Sequence, residues 1–283
     1  MADKRSPADY GLRSSSFSGG SNGLRPRVIA SVEALEKRGK TDWCLRDTPG
    51  PIVVFNFDQG LEGVIDKFEK KKEIIVAGMP LQPGQAGHRS YHFMRPVPIK
   101  ESEQGIGRKS DEYMTRVQKE AVPIWERFIS DYAEFLKSKA RTGVIDTGGA
   151  AYQLGKFAIV GTDKAGQRED PYNKKTGELN SIFQGLITDA YNYDKNLLWI
   201  HRLTEAWEDN RPSGKYRPKG YRDIDFEVQV VVRVNKSDKG EFSSRIRVCR
   251  MNPKLEGETF EGKEMGFSYV MATVFGSDQD EWR

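Results

Sequence analysis

The chain has 283 residues, with 45 Lys+Arg against 41 Asp+Glu, so its formal net charge is only +4. That length is ample for a real core, no run approaches the ~18 apolar residues of a membrane helix, and residues 1–23 have no apolar segment of a secretory signal. Two cysteines, Cys44 and Cys249, make no disulfide framework or CxxC pair, and the three histidines His88, His92 and His201 are too few to suggest a zinc site. The expectation is a cytoplasmic protein with no membrane partner, and a surplus of four charges does not by itself mark a nucleic-acid binder.

Residues 1–24 are rich in Ser and Gly and read as a tail. The first strand-like run is 27–32, and a charged turn leads to a short helix from about Lys40 that must stop before Pro49. PIVVFNF, residues 51–57, is apolar at successive positions and fits a central parallel strand. A short helix over 61–70 and a strand at 73–77 follow. Residues 79–108 carry Pro and Gly without periodicity and read as an irregular insertion. A long helix is expected over 110–138, with Tyr113, Val117, Ala121, Ile124, Phe128, Tyr132 and Phe135 on one face and Pro123 as a kink or division.

TGVIDT, 142–147, reads as a buried strand ending in an acid. Beyond a polar segment, 161–177, a helix is expected over 178–193 with Leu179, Ile182, Phe183, Leu186, Ile187 and Ala190 as its apolar stripe. NLLWIH, 196–201, is a further buried strand, 203–225 is polar, and 226–234 with 242–250 form an antiparallel hairpin. Strands alternating with helices imply one α/β domain: a mainly parallel sheet flanked by helices and finished by an antiparallel edge. Its span is 25–276, and SDQDEWR, 277–283, reads as an acidic, solvated tail.

The stretch Ala34, Leu35, Glu36, Lys37, Arg38, Gly39, Lys40, Thr41 lies between the first strand and the first helix. It matches the phosphate-loop pattern GxxxxGK[ST] everywhere except Ala34. In that pattern Gly39 lets the backbone wrap close to phosphates, Lys40 reaches the outer phosphates, and Thr41 offers a hydroxyl to Mg²⁺. Standing alone, such a stretch is more often a charged turn capping a helix; the strand–loop–helix context favours the phosphate loop. Asp146 and Asp58 each close a predicted parallel strand on the same sheet edge, where ligands of open α/β sheets bind. Asp146 would contact Mg²⁺, and Asp58 would orient or deprotonate water, with Glu62 a weaker alternative. His201 ends the neighbouring strand and is either a packed histidine or a sensor of the terminal phosphate.

These motifs, in this order, resemble the RecA-like P-loop ATPases of bacteriophages, a core-only branch of the RecA/RadA recombinase superfamily. The resemblance covers about 25–250 and rests on LEKRGKT (35–41), GPIVVFNFDQGLEGVIDKF (50–68), GVIDT (143–147), NLLWIHR (196–202) and GKYRPKGYRDIDFEVQVVVRV (214–234). It implies a RecA-like fold in a phage-infected bacterial cytoplasm and ATP hydrolysis with Mg²⁺ held by Thr41 and Asp146. Lys40, Asp58, Asp146 and His201 would be the catalytic set, with His201 coupling nucleotide to DNA. It further implies single-stranded DNA binding in recombination, by annealing or strand exchange, self-association into a ring or filament, and a phage single-strand-binding protein as partner. Ala34 departs from the family's glycine.

The family's two DNA-binding loops correspond to about 158–178 and 203–225. The first holds Lys164, Arg168, Lys174 and Lys175 among acids; the second holds Lys215, Arg217, Lys219 and Arg222 with two tyrosines and, over 215–222, no acid. Bases interleaved with aromatics suit a strand's phosphates and stacked bases, although the same cations could act in trans on a neighbour's nucleotide. Two further readings stay open: a nucleotide-gated assembly protein with little turnover, and a helicase-like motor.

Overall fold

The structure is a computed structural model, and it describes residues 27–58, 61, 63–68, 72–81, 87–94, 111–161, 174–208 and 211–283. The strands are β1 (Ile29–Ala34), β2 (Ile52–Asn56), β3 (Ile74–Ala77), β4 (Thr142–Asp146), β5 (Asn196–Glu208), β6 (Arg211–Pro218), β7 (Val230–Lys236), β8 (Phe242–Cys249) and β9 (Thr259–Glu261). They form one sheet in the order β3-β2-β4-β5-β1-β7-β8-β9, with β6 paired to the far half of β5. Pairings from β3 through β7 are parallel, whereas β7–β8, β8–β9 and β5–β6 are antiparallel. The α/β class expected from the sequence, with its antiparallel C-terminal edge, is what the structure shows.

The helices are α1 (Lys40–Arg46), α2 (Asp111–Lys137), α3 (Gly148–Gly155, extended by a wider turn over Lys156–Val160), α4 (Lys174–Asn192), α5 (Ile224–Glu227) and α6 (Phe267–Phe275). Two apolar layers result from strand alternation. Val53, Phe55, Ile145, Leu197 and Trp199 face α2, α3 and α4. Ile52, Val54, Val144, Leu198 and Ile200 face α1 and α6. On β1, fully buried Glu33 is held by Arg233 and Arg247, each at 2.7 Å.

Several elements differ from expectation. Pro123 lies inside a continuous α2, and Trp125 is buried where the expected stripe placed Ile124, which is only partly buried. The helix expected over 61–70 has its named turn only at Ile65–Lys67, after Gly63 takes a left-handed φ of 74°. α3 and α6 were not anticipated. α4 begins at Lys174, four residues earlier than expected. The polar stretch from 203 onward is not a loop: β5 runs on to Glu208 and pairs with β6 as a hairpin whose second strand is mostly exposed.

The C-terminal segment is likewise not a solvated tail. Trp282 is fully buried against Phe267 and Phe275, and its indole N–H donates to Ser277 at 2.8 Å. Residues 1–24, and most of the insertion expected over 79–108, lie outside the described residues. Among the described residues no helix is long and apolar enough to cross a membrane.

Candidate functional site

β1 delivers the chain to its carboxyl end at Ala34, and α1 begins six residues later at Lys40. Gly39 between them has φ 82°, and a Cβ there would lie 2.6 Å from the Phe242 ring. The left-handed φ requires glycine, and any side chain there would also have to displace the Phe242 ring. Ala34 is different. It is the last residue of the strand, its methyl group is buried in the α1-side core, and it has no left-handed φ. Nothing at position 34 demands glycine, so the departure from the pattern leaves the loop's path intact.

Lys40 folds back across this turn, donating from Nζ to the carbonyls of Leu35 at 2.8 Å and Ala34 at 3.3 Å. Burial lowers its pKa from the ordinary lysine value, against the pull of Asp146. The first turn of α1 presents backbone N–H groups that have no intrahelical acceptor. The turn is braced from outside by Arg38, which donates to the Lys236 carbonyl at the end of β7.

Asp146 closes β4 beside this turn. Its Oδ2 accepts a hydrogen bond from Thr41 Oγ1 at 2.7 Å. Burial pushes its pKa up to about 6; Asp58 adds to the rise, while the Thr41 hydrogen bond, Lys40 and Arg202 oppose it. A hydroxyl and a desolvated carboxylate in contact form the hard-oxygen donor set that Mg²⁺ prefers, and a cation there would restore the carboxylate's charge. These two side chains therefore fit the metal.

One opening of about 580 Å³ is lined by the turn residues 36–42 together with Asp58, Lys67, Asp146, Thr147, Arg202 and Phe242. It unites Gly39, Lys40, Thr41, Asp58 and Asp146 as expected, with Ala34 and Leu35 contributing the carbonyls that hold Lys40. His201 is not among them. It is fully buried on the other sheet face, stacked on Trp199, with Nδ1 3.0 Å from the Ser31 hydroxyl. Burial drops its pKa to about 4, so the ring is neutral. The residue that enters the opening from this strand is its neighbour Arg202, which bonds Asp58 and, at 3.1 Å, Glu36. Strand alternation explains the correction: one position along β5 turns a side chain to the opposite face.

The basic residues divide similarly. Lys164 and Arg168 lie outside the described residues. Lys174 and Lys175 start α4 rather than occupying a loop. Arg217, Lys219 and Arg222 line a second cleft of about 510 Å³ with Tyr152, Lys156, Thr176, Asn180, Thr204 and Asp223, whereas Lys215, on the exposed strand β6, does not line it. Lys156 was missed because 148–160 was not read as a helix.

The two openings share a wall. The Thr147 hydroxyl caps α3 by accepting from Ala150 N–H, and the following Gly149 meets the hairpin root so closely that a Cβ would lie 2.7 Å from the Lys219 carbonyl oxygen. On the facing side Gly220, at φ 121°, would place a Cβ 2.8 Å from Gly149 Cα.

No protein-family model matches this chain, and no curated protein does. Among solved structures the chain is similar to the RadB recombinase, with a TM-score of 0.43 and 14% identity, over 86% of this chain and 91% of that one. It is also similar to a KaiC-like protein of the hyperthermophilic archaeon Pyrococcus horikoshii, with a TM-score of 0.37 and 10% identity, over 83% of this chain and 84% of that one.

Proposed function

We propose that this protein is a RecA-like ATPase that binds single-stranded DNA at the cleft beneath its β5–β6 hairpin. One observation carries the reading: Lys40, Thr41 and Asp146 converge in one opening at the carboxyl edge of a parallel sheet, with Thr41 and Asp146 2.7 Å apart. Lys40 would exchange its loop carbonyls for phosphate oxygens, a contact in which both donor and acceptor are charged. Thr41 and Asp146 would hold Mg²⁺, whose charge offsets that of the phosphates.

Hydrolysis places water on the terminal phosphorus. The bond from that phosphorus to the bridging oxygen breaks, ADP and phosphate leave, and Asp58 accepts the water's proton. In the second cleft Lys156, Arg217, Lys219 and Arg222 would neutralise backbone phosphates, and Tyr216, exposed on β6, would stack on a base. The finer reading, carried by the sequence resemblance, is annealing or strand exchange by a ring or filament of a phage recombination protein.

The test is steady-state ATP hydrolysis with and without single-stranded DNA, paired with DNA binding across a salt series. Hydrolysis stimulated by DNA supports the reading. Replacing Arg217 or Arg222 by Ala should reduce the slope of log affinity against log salt by about 0.7 per lost phosphate contact. Oligomerisation on ATP without turnover would favour a nucleotide-gated assembly protein, and an unchanged slope would assign these cations to a neighbour's nucleotide instead.

A further inference from the structure

Arg202 is engaged by two acids of the nucleotide opening at once. Its Nη2 bonds the Asp58 carboxylate, and its Nη1 donates to Glu36 Oε1 at 3.1 Å. The three side chains are 43%, 30% and 72% exposed, respectively. Ion pairs as exposed as these contribute little to the stability of a fold, so folding alone does not account for a three-member network across the mouth of a phosphate site. Its members are better placed for chemistry. Glu36 belongs to the turn that would wrap the phosphates, and Asp58 is the acid assigned to water.

A guanidinium is a planar fork with parallel donors, so the two amino groups that reach Asp58 and Glu36 can equally take two oxygens of one phosphate. Position selects which phosphate. Attacking water must lie between Asp58 and the terminal phosphorus, so a guanidinium bonded to Asp58 is adjacent to the terminal phosphate and farther from the inner ones. The engaged carboxylate also matters: its Oδ2 is committed to the guanidinium, which leaves only Oδ1 to accept from water.

We infer that Arg202 is a substrate-displaced latch: its guanidinium passes from Asp58 and Glu36 to the terminal phosphate of a nucleoside triphosphate, and this exchange returns the engaged Asp58 oxygen, and with it the whole carboxylate, to the attacking water. The inference rests on the proposed phosphate site and adds to it a residue that reads the third phosphate. A diphosphate cannot complete the exchange, so it leaves Asp58 latched. No bond is made or broken in the exchange itself; three ion-pair partners are redistributed.

The test is calorimetric titration of the full chain with Mg·ADP and with Mg·ATP bearing an imido group between the outer phosphates, which cannot be hydrolysed. Four proteins are compared: the parent, Arg202→Gln, Asp58→Asn and the double variant, each first shown by its melting transition to be folded. The latch predicts that Arg202→Gln lowers triphosphate affinity about tenfold while ADP affinity holds, as expected for one charge-assisted contact. Asp58→Asn should raise triphosphate affinity severalfold, because the pair no longer has to be broken, and should do nothing comparable in the Arg202→Gln background. If Asp58→Asn has the same effect in both backgrounds, Asp58 is merely a repulsive charge and the latch is overturned. Equal loss of ADP and triphosphate affinity in Arg202→Gln overturns it too. If Lys40→Ala binds both nucleotides as well as the parent, the phosphate site itself is wrong and the latch falls with it.

Discussion

The Arg202 carbonyl accepts the Lys219 backbone N–H at 2.9 Å, so the residue whose side chain enters the opening lined by Lys40 and Asp146 also anchors the root of the basic hairpin. Lys219 in turn meets Gly149, three residues beyond the Mg²⁺ carboxylate candidate Asp146. The two openings are therefore linked through Lys219, by one backbone hydrogen bond to Arg202 and one close backbone approach to Gly149.

That contact predicts the behaviour of Gly149→Ala. The added methyl would sit 2.7 Å from a carbonyl oxygen that belongs to backbone and cannot swing away. We expect a stability loss of about 1–3 kcal/mol, the usual cost of overpacking, with DNA affinity falling while Mg·ADP affinity holds. Thermal melts and paired titrations would check this; unchanged DNA binding would show that the wall does not position the cleft.

Asp146 predicts a pH dependence. Its folded pKa, about 6, is raised above the ordinary carboxylate value of 3.8 by burial. The folded state thus binds its proton more tightly than the unfolded chain does. The stability this contributes is fully present below about pH 4 and is lost as pH rises through about 6. In a chelator, Asp146→Asn should therefore be more stable than the parent at pH 7.5, by an amount on the order of 2–3 kcal/mol, and the difference should shrink on acidification to pH 4. Melting curves of both proteins across that range measure it.

His201→Ala separates packing from sensing. The ring is fully buried and stacked on Trp199, so its removal should cost about 2–4 kcal/mol as a cavity. Nucleotide affinity should not change, since His201 faces away from the opening. A selective loss of triphosphate binding, with stability preserved, would restore it to the site.

Much of this was legible in the sequence, for reasons that differ by residue. β2 was plain because 51–57 is apolar at successive positions, the mark of a strand covered on both faces. The meeting of Thr41 with Asp146 was legible because the spacing of the turn and a terminal acid are both local signals. Arg202 was passed over for His201 because adjacent residues on a strand face opposite ways, and sequence does not say which way the site lies. The pairing of β6 with the far half of β5 escaped because the sequence from 203 to 218 mixes polar and apolar residues without a two-residue period, so no alternation marks it. Trp282 was masked by the acids around it, and its partners Phe267 and Phe275 become neighbours only after α6 folds.

Trp282 supplies its own prediction. Truncating it to Ala should cost about 3–5 kcal/mol, as for other fully buried large aromatics, and a denaturant titration would show this as a lower midpoint. A shift near zero would mean that the C-terminal segment is not part of the core.

The central claim is that Lys40, Thr41 and Asp146 form a triphosphate site, and the direct measurement is calorimetric titration of the full chain with Mg·ATP, parent against Lys40→Ala. Saturable one-site binding by the parent is expected, with a loss of about 10- to 100-fold in Lys40→Ala, the worth of a charge-assisted contact, both proteins being folded. Equal affinity in the two proteins, or no binding by the parent, would contradict it.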